Sequence, residues 1–376
     1  MIEVSRRTLL GAMATSPLIA SQSWSAPMSL ADLAVAKGLR FGSAVSAQGL
    51  NDPQIAALLI SECNLIVAEN EMKSYVINAS GHEGVYNFGP GDKLVDFAKT
   101  HKMAIRGHNL YWAKDQYTPK WVLNMDFGAN PKAMAEKFLR DYIGHVCDHY
   151  GNQLTSWDVV NEAIDEKTGE IRDNLMYRIL GMDYFRICYE TAREHLPHMQ
   201  LVYNDYMSWG EHNGLHRKGV LGLLRWFRDK QIPINALGIQ GHLGTVQGQG
   251  QQLSGGGDAL PQYDEWQAFL KAADTMGYEM LITEFDINDR KVVGDIATRD
   301  QKVAETAKTF LDMTLDFKSL KDVLCWGLDD KHSWLQHRGG GDNNIALRPC
   351  PYDDQFKAKP FREAIAQAFR SAPDRR

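Results

Sequence analysis

Ser156-Trp157-Asp158-Val159-Val160-Asn161-Glu162-Ala163 decides how the chain reads. It is a short apolar run that ends in an amide, a carboxylate and a small residue. Asp158 apart, nothing before Asn161 invites water. A carboxylate at the end of a buried strand is costly to desolvate, and proteins tolerate that mostly where the group is paired or used. Glu279-Met280-Leu281-Ile282-Thr283-Glu284-Phe285-Asp286-Ile287 has the same grammar, with Glu284 near the end of an apolar run. Two acids delivered by two strands of one sheet suggest a paired-carboxylate site, the arrangement that cleaves glycosidic bonds.

Working outward, strand-like apolar runs lie at 39–45, 64–70, 104–110, 156–163, 200–206, 236–242, 279–287 and 322–330. Helical faces separate them. Val220, Leu223, Leu224 and Phe227 repeat at i, i+3, i+4, i+7, as do Trp266, Phe269, Leu270 and Ala273. Phe138, Tyr142, Ile143 and Val146 mark another face, and Phe361, Ile365 and Phe369 a last one. Eight strands alternating with helices predict a single α/β domain folded as a (β/α)₈ TIM barrel. Active sites of such barrels lie at the C-terminal strand ends. Seven runs end there in polar or aromatic residues: Asn70; His108 and Asn109; Glu162; Asn204 and Asp205; Gln240 and His242; Glu284 and Asp286; Trp326 and Asp329. The first run ends blandly in Val45 and Ser46.

With 376 residues, 44% of them apolar, the chain can bury a large core. A net charge of −6 gives no basic surface for nucleic acid. Residues 1–26 read as a twin-arginine export signal, from Ser5-Arg6-Arg7-Thr8-Leu9-Leu10-Gly11 and the apolar run after it. That implies a periplasmic or extracellular protein whose mature part is 27–376. No other run is apolar enough to span a membrane. The cysteines, 63, 147, 188, 325 and 350, have no CxxC spacing and read as buried thiols. The Gly- and Gln-rich stretch 247–257 and the stretch 338–344 read as loops on the catalytic rim.

Several segments together resemble family-10 glycoside hydrolases, chiefly endo-1,4-β-xylanases, from about residue 38 to 369. They are Val67-Ala68-Glu69-Asn70-Glu71-Met72-Lys73, Arg106-Gly107-His108-Asn109-Leu110-Tyr111-Trp112, Trp157 to Ala163, Gly238-Ile239-Gln240-Gly241-His242-Leu243, Ile282 to Ile287, and Trp326-Gly327-Leu328-Asp329-Asp330-Lys331-His332-Ser333-Trp334. The resemblance implies that Glu162 is the general acid/base, with a carboxyl pKa raised for its task. It implies that Glu284 is the nucleophile of a retaining double displacement, roughly 5–5.5 Å from Glu162. His242 and Asp286 would support Glu284, and Asn161 would contact the sugar's 2-hydroxyl. Glu69, Asn70, Lys73, His108, Trp112, Gln240, Trp326 and Trp334 match sugar-binding positions, the tryptophans offering flat faces to pyranose rings. Trp157 and Trp121 read as packing residues. The expected partners are xylan and xylo-oligosaccharides, acted on by a monomer without metal or other cofactor.

Three positions depart from the family pattern: Ser74-Tyr75 where Trp is frequent, Ala113 where His is usual, and Leu328 where an aromatic or Thr is frequent. Lys114-Asp115-Gln116-Tyr117 after Ala113 is also reshaped. These changes bear on which sugars are accepted. Competing readings are a β-1,4-glucanase of a related retaining barrel family, a carbohydrate-binding protein without turnover, and a metal enzyme using His108, His242 and the strand-end acids. No HxxxH or HxH pair supports the last.

Overall fold

The computed structural model describes residues 28–79, 84–245, 261–336 and 346–376. The export signal and the two rim stretches, 247–257 and 338–344, lie outside the described residues.

Eight strands close into one parallel barrel in sequence order: β1 Arg40–Val45, β2 Leu65–Ala68, β3 Ala104–Trp112, β4 Ser156–Asn161, β5 Gln200–Asp205, β6 Ala236–Gly244, β7 Glu279–Asn288 and β8 Leu320–Cys325. β8 returns to pair with β1, Arg40 opposite Asp322 and Ser43 opposite Cys325. The main helices are α1 Leu30–Val35, α2 Pro53–Glu62, α3 Gly89–Thr100, α4 Pro131–Tyr150, α5 Asp183–His195, α6 Gly214–Asp229, α7 Tyr263–Thr275, α8 Ile296–Leu315 and α9 Pro360–Ser371. Helices α2 to α8 are the crossovers that parallel strands require. Their starts are written locally. Asp52 accepts from Gln54 N at 2.9 Å with Pro53 in the first turn, and Asp295 accepts from Thr298 N at 2.9 Å.

The predicted helix faces turn inward: Val220, Leu223, Leu224 and Phe227 of α6 and Trp266, Phe269, Leu270 and Ala273 of α7 are buried. In α4, Tyr142, Ile143 and Val146 are buried while Phe138 is half-covered. Phe369 of α9 meets Phe41 of β1 edge-on at 5.9 Å, across the seam where the barrel closes. All five cysteines are buried and free. Trp157 is fully buried and Trp121 is half-buried, its Nε1 donating to Asn78 O at 3.0 Å.

Most strand boundaries differ from expectation by one or two residues and the end of the eighth by five, and two of these differences shape the rim. The eighth run ends at Cys325, because Gly327 adopts φ +100° and takes 326–330 off the sheet. The second ends at Ala68, so Glu69 and Asn70 leave the barrel into the rim.

Asp158, which reads as a wet position, is fully buried inside the barrel. Alternation explains it: Trp157 packs on the outer side, against Gly107 of β3, and its neighbour must point in. A Cβ on Gly107 would fall 2.3 Å from the Trp157 ring, so this contact needs glycine. Asp158 is bonded to Arg106 and lies 2.8 Å from His108 Nδ1. Burial acts to raise its carboxyl, but Arg106 and His108 overcome that and lower it.

Candidate active site

The strand ends surround a cleft of about 1240 Å³. Eleven of the expected site residues line it: Glu69, Asn70, Lys73, His108, Trp112, Glu162, Gln240, His242, Glu284, Trp326 and Trp334. Asn161 and Asp286 sit behind that surface, essentially buried.

Two bulges aim the catalytic strands. On β4 the register slips between Asp158 and Val160, so Asn161 comes opposite Asn204. Without the slip, an inward Asp158 would put Asn161 on the outer face. Asn161 instead reaches the interior, its side-chain amide 2.9 Å from Asn204 Nδ2 and 3.2 Å from Gln240 Nε2. Glu162 follows with φ +56°, a conformation sparsely populated by residues with a Cβ. That turn of the chain brings Glu162 to the same cleft as its neighbour. Sites of function are where such strained positions gather. On β7 the pairing jumps from Ile282 to Glu284, leaving Thr283 as the extra residue. Thr283 donates inward to Asn204 Oδ1 at 2.6 Å, and Glu284 and Asp286 then also face inward.

Glu284 is held at both oxygens. Asn204 Nδ2 donates to Oε1 at 3.0 Å, and His242 Nε2 is 3.0 Å from Oε2. The other ring nitrogen of His242 stands 3.0 Å from Asp286 Oδ1. Trp334 Nε1 donates to Asp286 Oδ2 at 2.6 Å. Burial alone would lower the imidazole, but Asp286 first and Glu284 second raise it to about 10. His242 is therefore an imidazolium at neutral pH, a fixed positive charge beside Glu284.

Glu162 receives Gln240 Nε2 at 3.1 Å on Oε1 and the Lys114 ammonium on Oε2. Here the structure overturns an expectation. Burial pushes the carboxyl up, but the Lys114 charge and hydrogen bonds from Lys114, Gln240 and Trp112 bring it down to about 2. Without a ligand, Glu162 is a carboxylate and not the raised acid that its role suggested.

The sugar-binding candidates divide. Burial, with Glu71 adding to it and Lys73 opposing, raises Glu69 to about 7. Lys73 is lowered by burial, with Glu284 and Glu162 opposing. Its Nζ donates to Asn70 Oδ1 at 3.1 Å and stands 4.7 Å over the Trp112 ring. His108 lies at the floor, its Nε2 3.9 Å from Glu284 Oε1. Trp112 differs from the picture of a bare sugar platform. Tyr117 stacks on it with ring centres 3.7 Å apart, so one face is already covered.

Several site residues escaped the sequence reading. Lys114 and Tyr117 lie in the reshaped stretch after Ala113, which drew notice only as a departure. Asn204 was visible as strand-end polarity without a role. Tyr75, Tyr206 and Arg172 also line the cleft, Arg172 donating to Tyr206 Oη at 2.6 Å and to Glu162 O at 3.1 Å. Tyr75 had drawn notice only as a departure from the family pattern and Tyr206 only as the end of a strand run, while nothing around Arg172 points to the cleft. Both histidines of the metal reading already face carboxylates, His108 on Asp158 and His242 on Asp286 and Glu284. Among the described residues no cluster of His, Cys, Asp and Glu is arranged to hold a metal ion.

The family model for glycosyl hydrolase family 10 matches residues 29–368. Endo-1,4-beta-xylanase B of Paenibacillus barcinonensis is 29% identical over 312 residues, covering 80% of this chain and 87% of the relative. Exoglucanase XynX of Acetivibrio thermocellus is 30% identical over 347 residues, 89% of this chain, but the match spans only 29% of that longer protein. For endo-1,4-beta-xylanase A of Thermoanaerobacterium saccharolyticum the share is 27%. Among solved structures, xylanase 10B from Thermotoga petrophila RKU-1 in complex with xylobiose aligns with a TM-score of 0.79 at 26% identity, covering 92% of this chain and 98% of that one. Barrel, paired strand-end acids and the match over residues 29–368 agree, and the chain belongs to glycosyl hydrolase family 10.

Proposed function

We propose that the chain is an endo-1,4-β-xylanase that cuts internal bonds of xylan with retention of configuration. The observation that carries this is the unlike support of two acids in one cleft. Glu284 is clamped between Asn204 and the His242 charge. Glu162 faces the cleft just past the end of β4 with a partner, Lys114, that lies partly open to solvent. The first suits a nucleophile that stays ionised, and the second a group that gains and loses a proton.

In the first step an oxygen of Glu284 attacks the anomeric carbon. The glycosidic C–O bond breaks, and a protonated Glu162 gives its proton to the departing oxygen. In the second step Glu162, now a carboxylate, takes a proton from water. The water oxygen bonds to the anomeric carbon as the bond to Glu284 breaks. His242 Nε2, 3.0 Å from Glu284 Oε2, orients that carboxyl toward the cleft. The similarity to a xylanase that binds xylobiose supports a xylose-based substrate. The pattern Ser5 to Gly11 supports export through a twin-arginine route.

The test is time-resolved NMR of xylohexaose hydrolysis. Products that start as β-anomers and then mutarotate, and that vanish in Glu284→Ala, are expected. Initial α-products would rule out the retaining mechanism. Release from carboxymethylcellulose in place of xylan would favour the glucanase.

A further inference from the structure

Lys114 is placed by its own loop rather than by chance. Its N–H donates to Trp112 O at 2.8 Å, just past the end of β3. The next residue, Asp115, is anchored twice, by Arg178 at 2.6 Å and by Leu175 N at 2.8 Å. With Asp115 pinned, the Lys114 stem projects over the cleft. Its ammonium rests 4.7 Å over the Tyr206 ring and 6.0 Å from that of Trp112, and bonds to Glu162 Oε2. Gln240 already occupies Oε1. Both oxygens of the acid/base thus accept from donors, an arrangement that favours the carboxylate over the protonated form.

We propose that Lys114 is the positioning residue that switches Glu162 between its two roles, holding it as a carboxylate until a sugar on the leaving-group side displaces the ammonium from Oε2. The proposal rests on the glycosidase reading above and deepens it. Lys114 gives up no proton to the reaction. When the ammonium moves off, Glu162 takes up a proton from water, and that proton is the one passed to the leaving oxygen. Once the ammonium leaves, burial is the dominant influence on Glu162 and favours the protonated form. When the leaving sugar departs, Lys114 returns and favours the carboxylate needed as base.

Other charged and titratable groups face Glu162 from the surrounding elements. Lys73 lies after β2, its ammonium lowered by burial, and Arg172 after β4. Each has an electrostatic interaction with Glu162. Glu284 of β7 and His242 of β6 stand across the same cleft as a paired anion and cation. Tyr206 after β5 is neutral, raised far above its ordinary value by burial and Asp205. Asp165 and Glu166 line the outer cleft. Of the cations, Lys114 is the one bonded to the Glu162 carboxylate itself.

Two measurements test this. The first is a ¹³C-NMR titration of the Glu162 carboxyl, assigned with Glu162→Gln, in the ligand-free wild type, Lys114→Met and Lys114→Arg. The midpoint is expected to rise by about one unit or more in Lys114→Met and to stay low in Lys114→Arg. The second is the pH profile of kcat/KM. On xylohexaose, whose leaving group must be protonated, Lys114→Met is expected to change the profile's alkaline limb. On 2,4-dinitrophenyl β-xylobioside, which needs no acid, the limb is expected to be the same in all three proteins. A Glu162 midpoint that is unmoved in Lys114→Met overturns the proposal. So does an equal loss on both substrates at every pH, which would mark a structural role. If the midpoint moves and the wild type leaves xylohexaose uncut, the xylanase reading falls while the Lys114–Glu162 coupling stands.

Discussion

Nε2 of His242 stands 3.0 Å from Oε2 of Glu284, and the same ring leans on Asp286 at 3.0 Å from its other nitrogen. One imidazole serves two carboxylates, and its pKa of about 10 follows from both. The stability consequence has a definite sign. The unfolded imidazole titrates near its ordinary 6.5, so the stabilisation is fully present below that value and is lost as pH rises through about 10. The difference in thermal unfolding midpoint between wild type and His242→Gln is therefore expected to shrink steadily from pH 7 to pH 10. A difference that is constant over this range would show that His242 is neutral.

Asp158→Ala removes the counter-charge of a fully buried arginine. Arg106 would keep its bond to Ser156 Oγ at 2.9 Å but would lose its carboxylate. Breaking such a pair costs roughly 3–5 kcal/mol. Urea unfolding of the variant is expected to show a loss of that order. A change below about 1 kcal/mol would mean that water or another group compensates Arg106.

Gly238→Ala probes how Glu284 is held. A Cβ there would fall 2.3 Å from Asn204 Oδ1 and 3.0 Å from the Thr283 methyl. Asn204 would have to shift, loosening its 3.0 Å bond to Glu284. A hydrogen bond to a charged group contributes about 1.5–3 kcal/mol, so kcat is expected to fall by about tenfold or more. Gly222→Ala in α6 is the control. It meets nothing within 4 Å and lies inside a helix, so it is expected to stabilise by about 0.5–1 kcal/mol without touching kcat.

Glu162→Ala separates the acid from the rest of the site. Loss of general acid catalysis is expected to slow xylohexaose hydrolysis by roughly 10²–10⁴-fold. The first step on 2,4-dinitrophenyl β-xylobioside is expected to survive, with the glycosyl-enzyme accumulating and visible by mass spectrometry. Equal losses on the two substrates would reassign Glu162.

Much of this site was legible because strand-end chemistry is local. An apolar run that stops at Asn161-Glu162, or at Glu284 with Asp286 two residues on, carries its meaning within a few positions. Strand alternation also put Glu284 and Asp286 on one face, as the structure has them. The bulges at Val159 and Thr283 were not legible, since a register slip is a relation between strands. The wet reading of Asp158 failed because its partner, Arg106, is 52 residues away and on another strand. The state of Glu162 failed for a similar reason. Lys114 reaches it through a loop pinned by Arg178 and Leu175 N, which no spacing in the sequence encodes.

The pairing of β8 with β1 leaves the sheet with no edge. That seam is guarded from below by α9, where Arg362 reaches Glu62 at 3.1 Å and Met28 O at 2.7 Å, and Phe369 covers Phe41. An unmade seam would turn a ring into an open sheet with two unpaired backbone rows, each ready to add a strand from another molecule. The helix that covers this seam therefore bears on whether the barrel closes on itself or on its neighbours, which makes α9 a safeguard against aggregation as much as a piece of the core.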